Sequence, residues 1–291
     1  MKIDARHYSS PGTADPVDRL IPCEQLFIYY LDGRADTHDL DLGAGFLGNW
    51  EESDSSFLFF STPAENEIHK LIEKYPPLKL VDTFEMPYQE WQPLEAFPLE
   101  AGGFTIYPPW IRPIPETDTR NLVLDPGLVF GSGFHATTHD CLEALEFICY
   151  NNIKTIETAV DIGTGSGLLA IAAALKGVPE VIGVDNNFLA AKTAAHNVAI
   201  NHANDRVMII YGSALEPVWK SPDLLMANIH FEVMESIVCS PVFRESEWFI
   251  LSGLLRTPAE KITNRLKNLS TDIINIWNSD KIWYTVLGKN R

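Results

Sequence analysis

Residues Asp161-Ile162-Gly163-Thr164-Gly165-Ser166-Gly167-Leu168-Leu169 set three glycines at every second position between a β-branched run and an alanine-rich one. No other stretch constrains the fold as tightly. Thr158 to Ile162 has the pattern of a short buried strand, and Leu168 to Leu175 reads as a helix of high intrinsic propensity. A glycine turn between them lets the backbone approach a ligand closely. A second acid, Asp185, closes the apolar run Glu180 to Asp185, 22 residues after Gly163. Strand, glycine turn, helix and acid-terminated strand predict a βαβ unit that binds a nucleoside, the second carboxylate serving a pair of hydroxyl donors. An ordinary βαβ turn with an incidental acid is the bland alternative.

Glycine spacing separates the candidate ligands. A dinucleotide turn needs a third small residue five positions after the first glycine, and Leu168 stands there. Pyrophosphate is therefore disfavoured, with a dehydrogenase left as a rival. The Asp-x-Gly-x-Gly-x-Gly spacing resembles that of class I S-adenosylmethionine-dependent methyltransferases, which implies glycines packed against the methionine and sugar and Asp185 on the ribose hydroxyls.

The 291 residues suffice for two ordinary domains, and 46% hydrophobic with 11% aromatic content can fill real cores. No apolar run approaches the roughly 18 residues of a spanning helix, and Met1 to Tyr8 lacks the apolar core of a secretion signal, so a soluble, cytoplasmic protein away from membranes is expected. Cys23, Cys141, Cys149 and Cys239 fit neither a zinc site nor a disulfide framework, and reduced, buried thiols are expected. Cys141 and Cys149, eight apart, should share one face of a helix. The net charge of −17 is uneven, with 21 acidic against 9 basic residues in 1–121. Without a basic run to neutralise phosphates, direct nucleic-acid binding is not expected, and a basic protein partner fits better.

After a Pro11-Gly12 start, a strand is predicted at Gln25 to Leu31, then a polar segment Asp32 to Gly45. Phe46 to Glu51 and Ser55 to Phe60 form a hairpin around Ser53-Asp54, followed by a helix from Ala64 to Lys74 and a strand from Lys79 to Phe84. These make an N-terminal α+β domain over 1–86, read as the substrate-recognition part. Residues 87–120, dense in proline and aromatic residues, read as a packed connector. From Asn121 strands and helices alternate as in a parallel sheet covered on both faces, and a final hairpin flanks Asn278-Ser279-Asp280. The expected fold is thus α/β, a Rossmann-like seven-stranded methyltransferase sheet over 121–291 with a smaller α+β domain before it.

The loop Leu124 to Thr138 is tight and rich in glycine and hydroxyls, and runs into a helix. His135 and His139, four apart, could share a metal; with no acid at hand, loop packing is preferred and no metal is expected. Phe130-Gly-Ser-Gly-Phe-His135-Ala-Thr137-Thr138 is similar to the Phe-Gly-x-Gly-x-His-x-Thr-Thr signature of the PrmA family, whose members trimethylate amines of stalk-base protein eleven of the large ribosomal subunit. Asp161 to Leu169, Gly183-Val184-Asp185, Ala227-Asn228-Ile229, Ser252 to Leu255 and the strand around Trp283 extend the resemblance over 121–291. It implies S-adenosyl-L-methionine as cofactor, held by Phe130, His135, Thr138, Asp161, Gly163, Gly165, Gly167, Asp185 and Asn228, with Asn228 also catalytic.

Asn228 ends a predicted strand at the sheet edge where such folds bind ligands, so its carboxamide oxygen can accept from an amine and aim the lone pair. A helix-capping Asn is the structural alternative. Two departures from the family pattern bear on substrate. His230 follows Asn228-Ile229 where an apolar residue is common, and the Asp- and Gly-rich 32–45 replaces the first helix of a ferredoxin-like βαββαβ unit. A protein N-methyltransferase for a large-subunit ribosomal protein is the leading expectation. The alternatives are transfer to a different protein lysine or a small molecule, or cofactor binding without transfer.

Overall fold

Alternating apolar residues build the first sheet of the computed structural model, which describes residues 2–3, 23–37, 40–52, 54–92, 97–111, 121–152, 156–213 and 222–291. The Pro11-Gly12 start, Ser53 of the hairpin, and 93–96 and 112–120 of the connector lie outside these residues. After β1 (Lys2–Ile3) come β2 (Gln25–Asp32), β3 (Phe46–Glu52), β4 (Ser55–Phe60), α1 (Glu65–Lys74) and β5 (Lys79–Pro87). Strands β2 to β5 pair antiparallel in the order β3-β4-β2-β5, the order of a ferredoxin-like unit. Where that unit has its first helix, the described residues of 33–45 form a loop tied to the hairpin. Ser56 Oγ accepts from Ala35 N (2.8 Å) and Asn49 Nδ2 donates to the Ala35 carbonyl (2.7 Å). The start of α1 lacks a side-chain cap of its own, and the buried Tyr29 hydroxyl accepts from Ala64 N instead (2.7 Å).

The proline- and aromatic-rich stretch folds into α2 (Tyr88–Trp91) and the hairpin β6 (Leu99–Ala101) and β7 (Phe104–Tyr107), with β8 (Asn121–Val123) parallel to β7. Next come α3 (Ala136–Asn152), β9 (Thr158–Ile162), α4 (Leu168–Leu175), β10 (Glu180–Asp185), α5 (Phe188–Ile200), β11 (Val207–Tyr211) and β12 (Leu224–Asn228). The chain continues through α6 (Phe231–Cys239), α7 (Pro241–Glu245), β13 (Trp248–Leu255), α8 (Arg256–Lys267), β14 (Thr271–Trp277) and β15 (Trp283–Asn290). The large sheet runs β11-β10-β9-β12-β13-β15-β14, with β1 added antiparallel at the β11 edge. Its five central strands are parallel, and β15 enters antiparallel between β13 and β14. Seven strands in this order are the predicted methyltransferase sheet, with β1 as an eighth that sequence pattern did not show.

Apolar clusters cover both faces of the sheet, as continuous apolar strands require. Helix α4 is buried from Leu168 to Ala174, which is why alanine dominates it: larger side chains would hold the neighbouring elements apart. At the strands' N-terminal ends one Asp223 carboxylate oxygen accepts from Glu157 N, Thr158 N and Thr158 Oγ1, fixing the β9 to β12 register. A further core of Leu26, Ile28, Phe59, Tyr88, Leu128, Val129, Leu189 and Ala190 joins the antiparallel sheet to the loop before α3 and to α5. Cys141 and Cys149 are buried on α3, where desolvation pushes their thiols up to about 12 and about 11; Cys23 and Cys239 are only half-buried, contrary to expectation.

Candidate active site

The β9 to α4 turn carries its glycines in the left-handed region, with φ of 69° at Gly163, 56° at Gly165 and 84° at Gly167. Space is as tight as the backbone is unusual. A Cβ on Gly163 would lie 2.3 Å from Ile229 Cγ2, and one on Gly165 would lie 2.7 Å from the Phe130 carbonyl oxygen. Gly163→Ala is therefore expected to lower unfolding free energy by about 2–4 kcal/mol in urea titrations. An unchanged midpoint would show that Ile229 yields freely.

Both motif acids are buried and bonded to the turn. Asp161 Oδ2 accepts from Thr164 Oγ1 (2.6 Å), and burial, opposed by that bond and increased by the Asp185 charge, pushes Asp161 up to about 7. Asp185 Oδ2 accepts from Gly165 N and Oδ1 from Asn187 N, each at 2.9 Å, and burial raises its carboxyl too. The Asp161 shift has a definite sign in stability. The unfolded chain releases this proton near pH 3.8 and the folded one near pH 7, so the associated stability is complete below the lower value and lost as pH rises through the higher. Asp161→Asn is expected to flatten the decline in Tm between pH 5 and pH 8. A variant profile parallel to the wild type would contradict the buried titration.

The loop before α3 lies against the turn. Ser166 N and Oγ donate to the Phe130 and Gly131 carbonyls (3.1 and 2.6 Å). From α5, Asn197 Nδ2 donates to the Ser166 and Asp125 carbonyls while its Oδ1 accepts from Asp125 N. This buried Asn couples loop and turn, and sequence reading missed it; the available signal was a carboxamide within an alanine-rich helix. Tyr88 Oη, on α2, donates to the Gly127 carbonyl from the other side (2.7 Å).

Asn228 sits at the C-terminal end of β12, and its Nδ2 donates to Thr137 Oγ1 (3.1 Å). It does not cap α6, whose N-cap is His230. Thr137 Oγ1 lies 2.7 Å from His135 Nδ1, which also accepts from Thr137 N. The hydroxyl therefore donates to an unprotonated Nδ1 and accepts from Asn228, which leaves the carboxamide oxygen for another partner. Burial lowers the His135 pKa while Asp280 opposes, consistent with a neutral ring. The sequence motif gives Thr137 no role of its own; only the fold reveals that it orients Asn228. Phe130 is half exposed and His230 exposed.

The turn thus meets Phe130, Asn228 through Ile229, and Asp185. The glycines are required by packing within the protein, since a Cβ on Gly163, Gly165 or Gly167 would meet Ile229, Phe130 or Ala194, and the polar atom beside them that a bound group could satisfy is Thr138 Oγ1, buried with no protein partner. Among the described residues no three His, Cys, Asp or Glu side chains gather as a metal-binding group.

Sheet order and glycine turn together define the Rossmann-like methyltransferase architecture. The model of the ribosomal protein L11 methyltransferase (PrmA) family matches residues 61–291, and the chain belongs to that family. It is 33% identical over 189 residues to a ribosomal protein L11 methyltransferase of Staphylococcus haemolyticus, covering 64% of this chain but 59% of the relative. A Desulforamulus reducens relative of the same description is 32% identical over 223 residues, 72% of this chain and 70% of that protein. A solved ribosomal protein L11 methylase from Lactobacillus delbrueckii subsp. bulgaricus superposes with a TM-score of 0.55 at 28% identity, covering 65% of this chain and 94% of the other.

Proposed function

We propose that the chain is an S-adenosylmethionine-dependent N-methyltransferase acting on amino groups of a protein, with a large-subunit ribosomal protein, L11 in the first instance, as acceptor. The observation that carries the transfer chemistry is the Asn228 carboxamide, oriented by Thr137 and His135 at the end of β12. Family membership and the relatives' descriptions support the acceptor.

In this reading Gly163, Gly165 and Gly167, with Phe130, His135, Thr138 and Asp161, would hold the donor, and the Asp185 carboxylate would take its ribose hydroxyls. The bound donor supplies a sulfonium methyl group for in-line displacement by a neutral nitrogen. Asn228 Oδ1 accepts an amine N–H and thereby aims the nitrogen lone pair; orientation of this kind is worth up to about 7–11 kcal/mol of a barrier. The half-buried aromatic surroundings exclude water, and a strong base is not required. Residues 1–86 serve as the recognition unit, 87–120 as connector and 121–291 as catalytic unit. Excess acid in 1–121 suits a basic partner, and a cytoplasmic location follows from the proposed ribosomal acceptor. Among the described residues no helix is long and apolar enough to cross a membrane.

Incubation with labelled S-adenosylmethionine and purified ribosomal proteins, followed by mass spectrometry, tests the proposal. Label on L11 supports it in full. The second reading, transfer to another protein or a small molecule, is favoured by exposed His230 beside Asn228 and by the loop in place of the first N-terminal helix. Label elsewhere would select it, and cofactor binding without any labelled product would leave a binding protein.

A further inference from the structure

At the end of the large sheet away from the glycine turn, three segments enclose a cleft of about 330 Å³ that the transfer chemistry does not use. Lys289 of β15 pairs there with Trp248, the first residue of β13, whereas Asn228 is the last residue of β12, so the length of the sheet separates the two places. The walls are α7, the turn 268–270 that follows α8, and Asn290 with Arg291. Hydrogen bonds tie these walls together. Asn290 Nδ2 donates to the Phe243 and Ser246 carbonyls (2.7 and 2.8 Å), and Arg291 N donates to the Ser270 carbonyl (3.2 Å). Ser270 makes the turn with φ at 56°, in the left-handed region.

The chain carries 39 acidic against 22 basic side chains, yet among the described residues no carboxylate side chain lines this cleft, while Arg244 and Arg291 both do. Arg244, exposed in the last turn of α7, has no acidic partner among the described residues. Arg291 gives Nε and Nη2 to the two oxygens of Asp272, which steadies the planar group and leaves its Nη1 edge for another acceptor. Glu247, beside the start of β13, is already paired with Lys289 Nζ (2.7 Å). Asn268 and Ser270 add a carboxamide and a hydroxyl to the lining. Two guanidinium forks on separate elements suit a dianion with oxygens on several sides, which a phosphate has and a single carboxylate lacks. The volume stands near the lower end of small-molecule sites, roughly 300–1,000 Å³, and leaves room for a few carbon atoms beyond the phosphate.

We propose that this cleft binds the phosphate monoester end of a small organic molecule, with Arg244 and Arg291 on the phosphate oxygens and Asn268 and Ser270 as further donors. The site is separate from those of donor and acceptor, and it does not depend on the transfer reading.

Calorimetric titration of the full chain with glycerol 3-phosphate, inorganic phosphate and glycerol, at constant ionic strength, tests the site. Glycerol 3-phosphate is expected to bind saturably, inorganic phosphate about threefold or more weakly, and glycerol not at all. Arg244→Gln, at an exposed position, is expected to weaken glycerol 3-phosphate binding about tenfold with Tm unchanged. Arg244→Lys should recover only part of that loss, because an ammonium lacks the fork. Ser270→Gly removes the hydroxyl from a backbone that glycine adopts freely and is expected to weaken binding about threefold; it decides the matter should Arg244→Gln disturb α7. No saturable heat with glycerol 3-phosphate would overturn the proposal. Undiminished affinity in a folded Arg244→Gln would do the same, by placing the phosphate elsewhere on the chain, and inorganic phosphate binding as tightly as glycerol 3-phosphate would overturn the monoester assignment. None of these titrations needs S-adenosylmethionine or a protein acceptor, so a chain that methylates nothing leaves the site standing.

Discussion

Replacement of Asn228 by alanine is expected to lower methyl transfer by about two to three orders of magnitude, while S-adenosylmethionine affinity measured by calorimetry falls less than about tenfold. The asymmetry follows from where the side chain is held. Its nitrogen is committed to Thr137 Oγ1, so the oxygen is the atom offered to a substrate, and the chain Asn228 to Thr137 to His135 prevents the amide from flipping. Removing the carboxamide leaves the glycine turn and Asp185 in place for the donor and removes the group that aims the acceptor. Thr137→Val should produce a milder loss of transfer, because the oxygen survives without its fixed orientation. Equal losses of transfer and donor affinity in Asn228→Ala would argue against a positioning role.

Loss of the Asp185 carboxylate has the opposite signature. Hydrogen bonds to a charged group are worth about 1.5–3 kcal/mol each, so Asp185→Ala should weaken S-adenosylmethionine binding about a hundredfold or more by calorimetry if both ribose hydroxyls depend on it. The structure adds a second cost. Asp185 also accepts from Gly165 N and Asn187 N, and alanine leaves both donors without that acceptor, so a measurable drop in Tm should accompany the affinity loss. Asp185→Asn keeps one acceptor oxygen and separates the effects, with less loss of stability than alanine. Undiminished affinity in both variants would end the ribose assignment.

Local chemistry made the catalytic half legible. Periodicity and β-branching located β9, β10 and β12 within a residue and the last hairpin within three, because each element is decided by which residues fill one buried face. Asp161 and Asp185 were readable as strand-end acids, and the Asp- and Gly-rich 32–45 was readable as a replacement for a helix. What escaped depends on contacts between distant segments. Neither the orientation of Asn228 by Thr137, 91 positions away, nor the clamp of Asn197 on Ser166 leaves a local trace. The β6-β7 hairpin lay hidden in the proline- and aromatic-rich stretch, where composition masks alternation, and the pairing of Lys2-Ile3 with β11 spans most of the chain.

The core that Leu26, Ile28, Phe59 and Tyr88 share with Leu128, Val129, Leu189 and Ala190 bears on how the molecule can be dissected. A truncation beginning at Asn121 would strip one side of that cluster and bare a greasy scar beside the donor loop. Such a fragment should aggregate on purification, and both halves of the intact chain should melt together in calorimetry as one cooperative event. Engineers wishing to swap the recognition half would have to carry this seam across with it.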